Sequence, residues 1–160
     1  MLTIWYDMDN TLAKFSIKGL ESMALEMMHS KGYFYNLPVL DGAESVLPTL
    51  DLIGFDVRIL SALIDSPYVE NEKYLWIKEH FPFIEKNKIL FVPLGTNKAE
   101  AVGNVKGQVL VDDFSRNLKE WETAGGIPVK KRYSNKNGYK YVIRHHREIF
   151  PILVELQPCI

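Results

Sequence analysis

The sequence predicts a three-layer α/β/α, Rossmann-like fold: a parallel sheet with a small helical cap insert. Three observations lead there. Short β-prone runs alternate with helical segments along most of the chain. The helical segments are long enough to cross over and cover both faces of such a sheet. Carboxylate and hydroxyl residues stand at the ends of several β-prone runs, where open parallel sheets bind ligands.

Residues 2–6 (Leu-Thr-Ile-Trp-Tyr) form the first β-prone run and end at an acidic cluster. Residues 17–30 read as a helix, because Leu20, Met23, Ala24, Met27 and Met28 recur at three- and four-residue spacing. Met27 and Met28 read as core filler, and Gly32 as the helix stop. Asp41-Gly42 leads into a second helix over 43–52, ended by Gly54. Residues 55–60 form a strand running into Ser61. A helix spans 69–80, before Pro82; in it Glu72, Lys73, Tyr74 and Trp76 read as stabilising the helix and its packing.

Residues 88–92 and 108–111 are further strands, the second running into Asp112-Asp113. A helix over 115–124 is closed by Gly125-Gly126, and 127–129 form another strand. Beyond Tyr133 the pattern weakens: 134–138 are turn-like, and 145–156 form a last helix that Pro151 limits or kinks. His145 and His146 are neighbours, and adjacent residues on a helix do not face one site, so no metal site is expected there. No repeat or linker interrupts the chain. The expected organisation is one domain over 1–160 with a minimal cap insert at 16–40.

At 160 residues the chain is long enough to bury a sizeable core. Lys+Arg 19 against Asp+Glu 20 leaves a net charge of −1, so no bulk nucleic-acid binding is expected. Lys130-Lys131-Arg132 reads as a solvated surface cluster. A single cysteine, Cys159, makes no internal disulfide. No apolar run approaches the ~18 residues of a membrane span, and Asp7 and Asp9 precede any signal-peptide apolar region. The expectation is a cytoplasmic protein with no membrane association.

Asp7-Met8-Asp9-Asn10-Thr11-Leu12 places two carboxylates two residues apart where a strand gives way to a loop. The first can face a phosphorus atom while the second leans towards the leaving oxygen. Asp112 can join Asp7 and a backbone carbonyl around a hard, oxygen-seeking Mg2+. That ion neutralises phosphate charge, which otherwise repels a carboxylate nucleophile. Asp113 reads equally as a further metal ligand or as a support for its neighbours. Ser61 and Lys98 supply the hydroxyl and ammonium that cradle phosphoryl oxygens, with Lys106 the competing lysine. Carboxylate attack gives an aspartyl-phosphate that water hydrolyses.

These four segments, in this order, resemble the haloacid dehalogenase (HAD) superfamily of phosphohydrolases. Asp7–Leu12 matches its first motif, Ser61 its second, Lys98 its third and Asp112-Asp113 its fourth. A finer resemblance is to the 5'(3')-deoxyribonucleotidase branch. It rests on Asp7-Met8-Asp9 with Leu12-Ala13 and Phe15, on Ser66-Pro67-Tyr68, and on the run from Glu72 to Phe81. The resemblance implies Asp7 as nucleophile, Asp9 as general acid/base, and Ser61 and Lys98 on phosphate. It also implies Mg2+ held by Asp7, the Asp9 carbonyl and Asp112, and a small phosphorylated substrate, a nucleoside monophosphate.

The chain departs from that branch at Asn10-Thr11, at Ala62-Leu63 and in its short cap, where 16–40 allow one helix and a loop. Such a cap leaves the site open or leaves a second subunit of a homo-oligomer to cover it. Phe15, Tyr33, Phe34 and Tyr35 are the aromatic candidates for stacking on a base, or equally for packing the cap onto the core. Two alternatives stand beside the nucleotidase reading. One is a phosphatase for another small phosphate or a polynucleotide end; the other is a non-catalytic binding or regulatory module.

Overall fold

The structure is a computed structural model and describes residues 1–15, 21–132 and 138–157. In chain order it contains β1 (Thr3–Tyr6), α1 (Glu21–Met28), α2 (Ala43–Leu52), β2 (Asp56–Leu63), α3 (Val69–His80) and a 3-10 turn (Lys86–Lys88). There follow β3 (Ile89–Pro93), α4 (Lys98–Val102), β4 (Val109–Asp112), α5 (Ser115–Thr123), β5 (Ile127–Lys131), β6 (Val142–Ile143), a second 3-10 turn (His146–Glu148) and α6 (Ile149–Leu156).

The six strands form one sheet in the order β3-β2-β1-β4-β5-β6, every neighbouring pair parallel. The α/β layering predicted from the alternating pattern is what the chain adopts. Alternation within the strands sends side chains to two separate cores. Ile4, Tyr6, Val109 and Val111 pack with α2, α3 and α6. Trp5, Leu60 and Leu110 pack with Ala99 of α4 and with Leu118 and Trp121 of α5. Fully burying one such side chain contributes about 1.5–3 kcal/mol, so both faces of the sheet need their helices.

The strand order reverses between β1 and β4. That is the switch point beside which open α/β sheets leave a crevice at the carboxyl ends of their strands. Tyr6 pairs with Val111, so the residues following these two strands emerge side by side.

Several elements differ from expectation. Ser61 lies inside β2 rather than after it, because Ser61, Ala62 and Leu63 keep pairing with Phe91, Val92 and Pro93. The helical stripe in the cap is not a core: of its members in α1, Ala24 is buried while Met23 and Met27 are exposed. Lys131 is not solvated; it is buried, with its ammonium 2.7 Å from Asp41 Oδ2. The last helix begins only at Ile149, with Pro151 in its first turn, where a missing N–H costs nothing. Residues 16–20, the turn-like residues 134–137 and Cys159 lie outside the described residues.

Candidate active site

Asp7 directly follows β1, and its backbone N–H donates to Val111 O at 2.9 Å, extending the ladder by one residue beside Asp112. The chain then turns sharply. Thr11, Leu12 and Ala13 all donate backbone N–H groups to Met8 O (3.2, 2.9 and 2.9 Å). Asn10 takes the left-handed conformation (φ 57°), which asparagine tolerates better than most residues, and its Oδ1 accepts from Phe15 N at 3.1 Å. The turn brings the Thr11 hydroxyl to Asp7 Oδ2 at 3.3 Å.

Lys98 arrives from the first turn of α4, which Asn97 caps by accepting from Ala99 N and Glu100 N at 3.0 and 3.2 Å. Its buried ammonium sits 2.7 Å from Asp7 Oδ1 and 2.8 Å from Asp112 Oδ2, tying the two carboxylates together. Asp112 is further fixed by Phe114 N on Oδ1 (2.8 Å) and Asn117 Nδ2 on Oδ2 (2.9 Å). Lys106, the competing lysine, is exposed, with its chain against Gly125.

Sequence reasoning missed Lys73. Its ammonium donates to Asp9 Oδ2 (2.6 Å), Ser61 Oγ (3.0 Å) and Ala62 O (2.8 Å), and the residue is fully buried. The signal was present: Val69, Lys73, Trp76 and Ile77 share the inward stripe of α3, and a lysine there must reach a partner. Ser61, Asp9 and Lys73 thus form a second cluster beside that of Asp7, Asp112 and Lys98.

Burial pushes the Asp7 carboxyl above its ordinary range, and the Asp112 charge adds to this while Lys98 opposes it. Burial raises Asp9 too, against the pull of Lys73. Burial lowers the Lys98 ammonium, but Asp7 and Asp112 outweigh it and hold the group above its usual value. Asp113 is pushed up to about 8 by burial and by the charges of Asp7 and Asp112. Carboxyls strained in this way mark a centre that favours an added cation.

The donor set fits a metal ion. One carboxylate oxygen each from Asp7, Asp112 and Asp113 lies within 4.8 Å of the others, and hard oxygen donors suit Mg2+. The Asp9 carboxylate is absent from this group and faces Lys73 instead. Lys130 reaches the Asp113 carbonyl and Ser115 Oγ from the rim.

The cap loop packs on α3: Glu72 accepts from Gly32 N, and Trp76 Nε1 donates to Leu37 O at 2.7 Å. Phe34 is buried beneath the Lys73 ammonium, 4.8 Å from ring centre to Nζ, so it serves packing and has no free face for a base. Tyr35 is exposed and turned to Glu79, whose carboxylate raises its hydroxyl by hydrogen bonding. Phe15 and Tyr33 meet edge to face at 5.7 Å and keep partial exposure. Burial and the Asp9 charge both raise the Tyr33 hydroxyl, so Tyr33 is electrostatically joined to the site.

Comparisons with known proteins bear on the family and the fold. The family model described as "5' nucleotidase, deoxy (Pyrimidine), cytosolic type C protein" matches residues 18–148, a span that holds Ser61, Lys73, Lys98 and Asp112 and begins after the Asp7 loop. A Staphylococcus epidermidis protein named "Putative 5'(3')-deoxyribonucleotidase" is 25% identical over 135 residues, covering 81% of this chain and 71% of its own. A Staphylococcus aureus protein of the same name is 30% identical over 109 residues, covering 68% of this chain and 54% of its own. Among solved structures, the D,D-heptose 1,7-bisphosphate phosphatase of B. bronchiseptica, complexed with magnesium and phosphate, shares the fold at TM-score 0.65 and 13% identity. That match covers 97% of this chain and 99% of the other. An Entamoeba histolytica HAD hydrolase matches at TM-score 0.66 and 11% identity, over 99% and 100%. The chain belongs to the 5' nucleotidase, deoxy (pyrimidine), cytosolic type C family, and is a HAD-type phosphatase.

Proposed function

We propose that the protein is a Mg2+-dependent phosphomonoesterase hydrolysing 5'- or 3'-(deoxy)nucleoside monophosphates through an aspartyl-phosphate on Asp7. The observation that carries this reading is the meeting of Asp7, Asp9, Ser61, Lys73, Lys98 and Asp112 at the carboxyl ends of β1, β2 and β4.

An Asp7 carboxylate oxygen bonds to phosphorus as the ester P–O bond breaks, and Asp9 gives its proton to the departing nucleoside oxygen. Asp9 then takes a proton from water, which attacks the aspartyl-phosphate, frees inorganic phosphate and restores Asp7. Ser61 and Lys73 hold the transferring phosphoryl oxygens on one side and Lys98 on the other. Asp7, Asp112, Asp113 and the Asp9 carbonyl are the groups that would hold Mg2+, which when bound neutralises phosphate charge. Burial keeps Asp9 protonated to higher pH than an ordinary aspartate, as the first step requires.

The cap is small, and among the described residues it holds a single helix, α1. That favours a second reading, a phosphatase for other compact phosphates. Phosphate release with Mg2+ from a panel of deoxynucleoside monophosphates, sugar phosphates and an aryl phosphate separates the two. A kcat/KM at least about tenfold higher for nucleotides supports the nucleotidase. Equal values remove it, and tight binding without phosphate release would favour a binding module.

A further inference from the structure

The first loop and the C-terminal segment meet at one buried bond. His146 Nε2 lies 2.7 Å from Thr11 O, 135 residues away in sequence, and both residues are fully buried. The amides of the turn converge on Met8 O, and Leu40 N takes Leu12 O at 2.7 Å. The Thr11 carbonyl is left needing a donor from elsewhere, and a buried carbonyl without one is costly. A carbonyl only accepts, so Nε2 carries the hydrogen.

The ring is held on several sides. His146 N donates to Asp41 O at 3.0 Å, and Lys131 grips the Asp41 side chain. The ring tilts against Tyr6 at 5.8 Å, and Tyr6 immediately precedes Asp7. His145 caps the 3-10 turn in a capping box with Glu148 and lies over Gly42, where an added Cβ would fall 2.3 Å from His145 Cε1. Burial, with Lys131 beside it, pushes His146 down to about 4, so the ring is neutral at ordinary pH. A neutral ring with hydrogen on Nε2 leaves Nδ1 bare, and Nδ1 has no hydrogen-bond partner.

We propose that His146 is a positioning residue for the nucleophile: its bond to the Thr11 carbonyl fixes the turn from which the Thr11 hydroxyl holds Asp7 Oδ2. This rests on Asp7 as nucleophile. Lys98 already holds Oδ1, so the Thr11 contact sets the rotation of the carboxylate about its own axis. Small misplacements of a reacting group lower rates steeply.

The test compares H146F, which keeps the ring's bulk and loses the donor, with H146Q, whose amide N–H can reach the carbonyl. H146F should lower kcat about tenfold with KM within about twofold, and H146Q should recover kcat to within about threefold of wild type. Wild-type kcat in H146F, or H146Q as slow as H146F, overturns the proposal. Two readouts need no turnover. Ring 15N spectra of the wild-type protein should show His146 neutral with hydrogen on Nε2, and the opposite tautomer overturns it. Amide exchange at Asn10, Thr11 and Leu12 should rise in H146F and not in H146Q; equal exchange in all three proteins overturns it. A wild-type protein that releases no phosphate would instead defeat the proposed activity, leaving these two readouts to judge the His146 contact.

Discussion

Lys73 Nζ stands 2.6 Å from Asp9 Oδ2, joining the inward face of α3 to the loop after β1 across 64 residues. The lysine is fully buried, whereas the Asp9 side chain keeps 30% exposure. The Asp9 carboxylate has one oxygen on Lys73 and the other, Oδ1, buried without a hydrogen-bond partner. Its charge is balanced by the ammonium behind it.

Removing that ammonium gives the first prediction. K73M should lower kcat about a hundredfold, the usual scale for deleting one donor to a transferring oxyanion. Lys73 holds the Asp9 carboxyl down against burial, so its loss raises Asp9 further. A proton held to higher pH moves the alkaline limb of the kcat profile upwards. A pH–rate profile of K73M with an unmoved or downward-shifted limb would contradict the pairing.

A part for Asp113 in metal binding predicts a pH-dependent affinity. With its carboxyl pushed up to about 8, it is mostly protonated at neutral pH in the metal-free protein, and a cation must displace that proton. Mg2+ affinity measured by calorimetry should therefore climb between pH 7 and 9. In D113N that part of the climb should vanish. An identical climb in both proteins would show that Asp113 takes no part.

His146 leaves a mark on stability. Its folded value of about 4 lies below the ordinary 6.5, so between those values the unfolded chain binds a proton that the folded one does not. Stability accordingly falls as pH drops through that window, by roughly 3 kcal/mol at full extent. Burial is the main cause; the bond to the Thr11 carbonyl and Asp41 oppose it, and Lys131 and His145 reinforce it. Urea unfolding of wild type and H146Q should show this loss in the wild type alone. Parallel curves would contradict a buried neutral ring.

The hydroxyl of Tyr33, in the cap, feels Asp9. Y33L should raise KM for a deoxynucleoside monophosphate several-fold while leaving that for a small aryl phosphate near wild type. An equal change for both substrates would place Tyr33 in general packing rather than substrate choice.

What could be read from the sequence follows from the range of the forces involved. α2 and α3 were expected at the residues they occupy, since local periodicity and flanking Asp41-Gly42, Gly54 and Pro82 define them. Asp7 and Asp112 were legible because each ends an apolar strand. Ser61 was expected beyond its strand because only the pairing with β3 shows that β2 continues. Lys73 was hidden because its partners, Asp9 and Ser61, come from the loop after β1 and from β2. Phe34 was left between stacking on a base and packing the cap onto the core because nothing local reveals that an ammonium covers it. His146 was read as part of a helix, and its bond to Thr11 is tertiary throughout.

The most direct test of the central claim is a single-turnover reaction with a 32P-labelled deoxynucleoside monophosphate and Mg2+, quenched in acid and followed by peptide mapping. The expected result is transient label on the peptide containing Asp7, absent in D7N, with phosphate release in D7N lowered at least about a thousandfold. Phosphate release from D7N at the wild-type rate, or label on a different residue, would contradict Asp7 as the nucleophile.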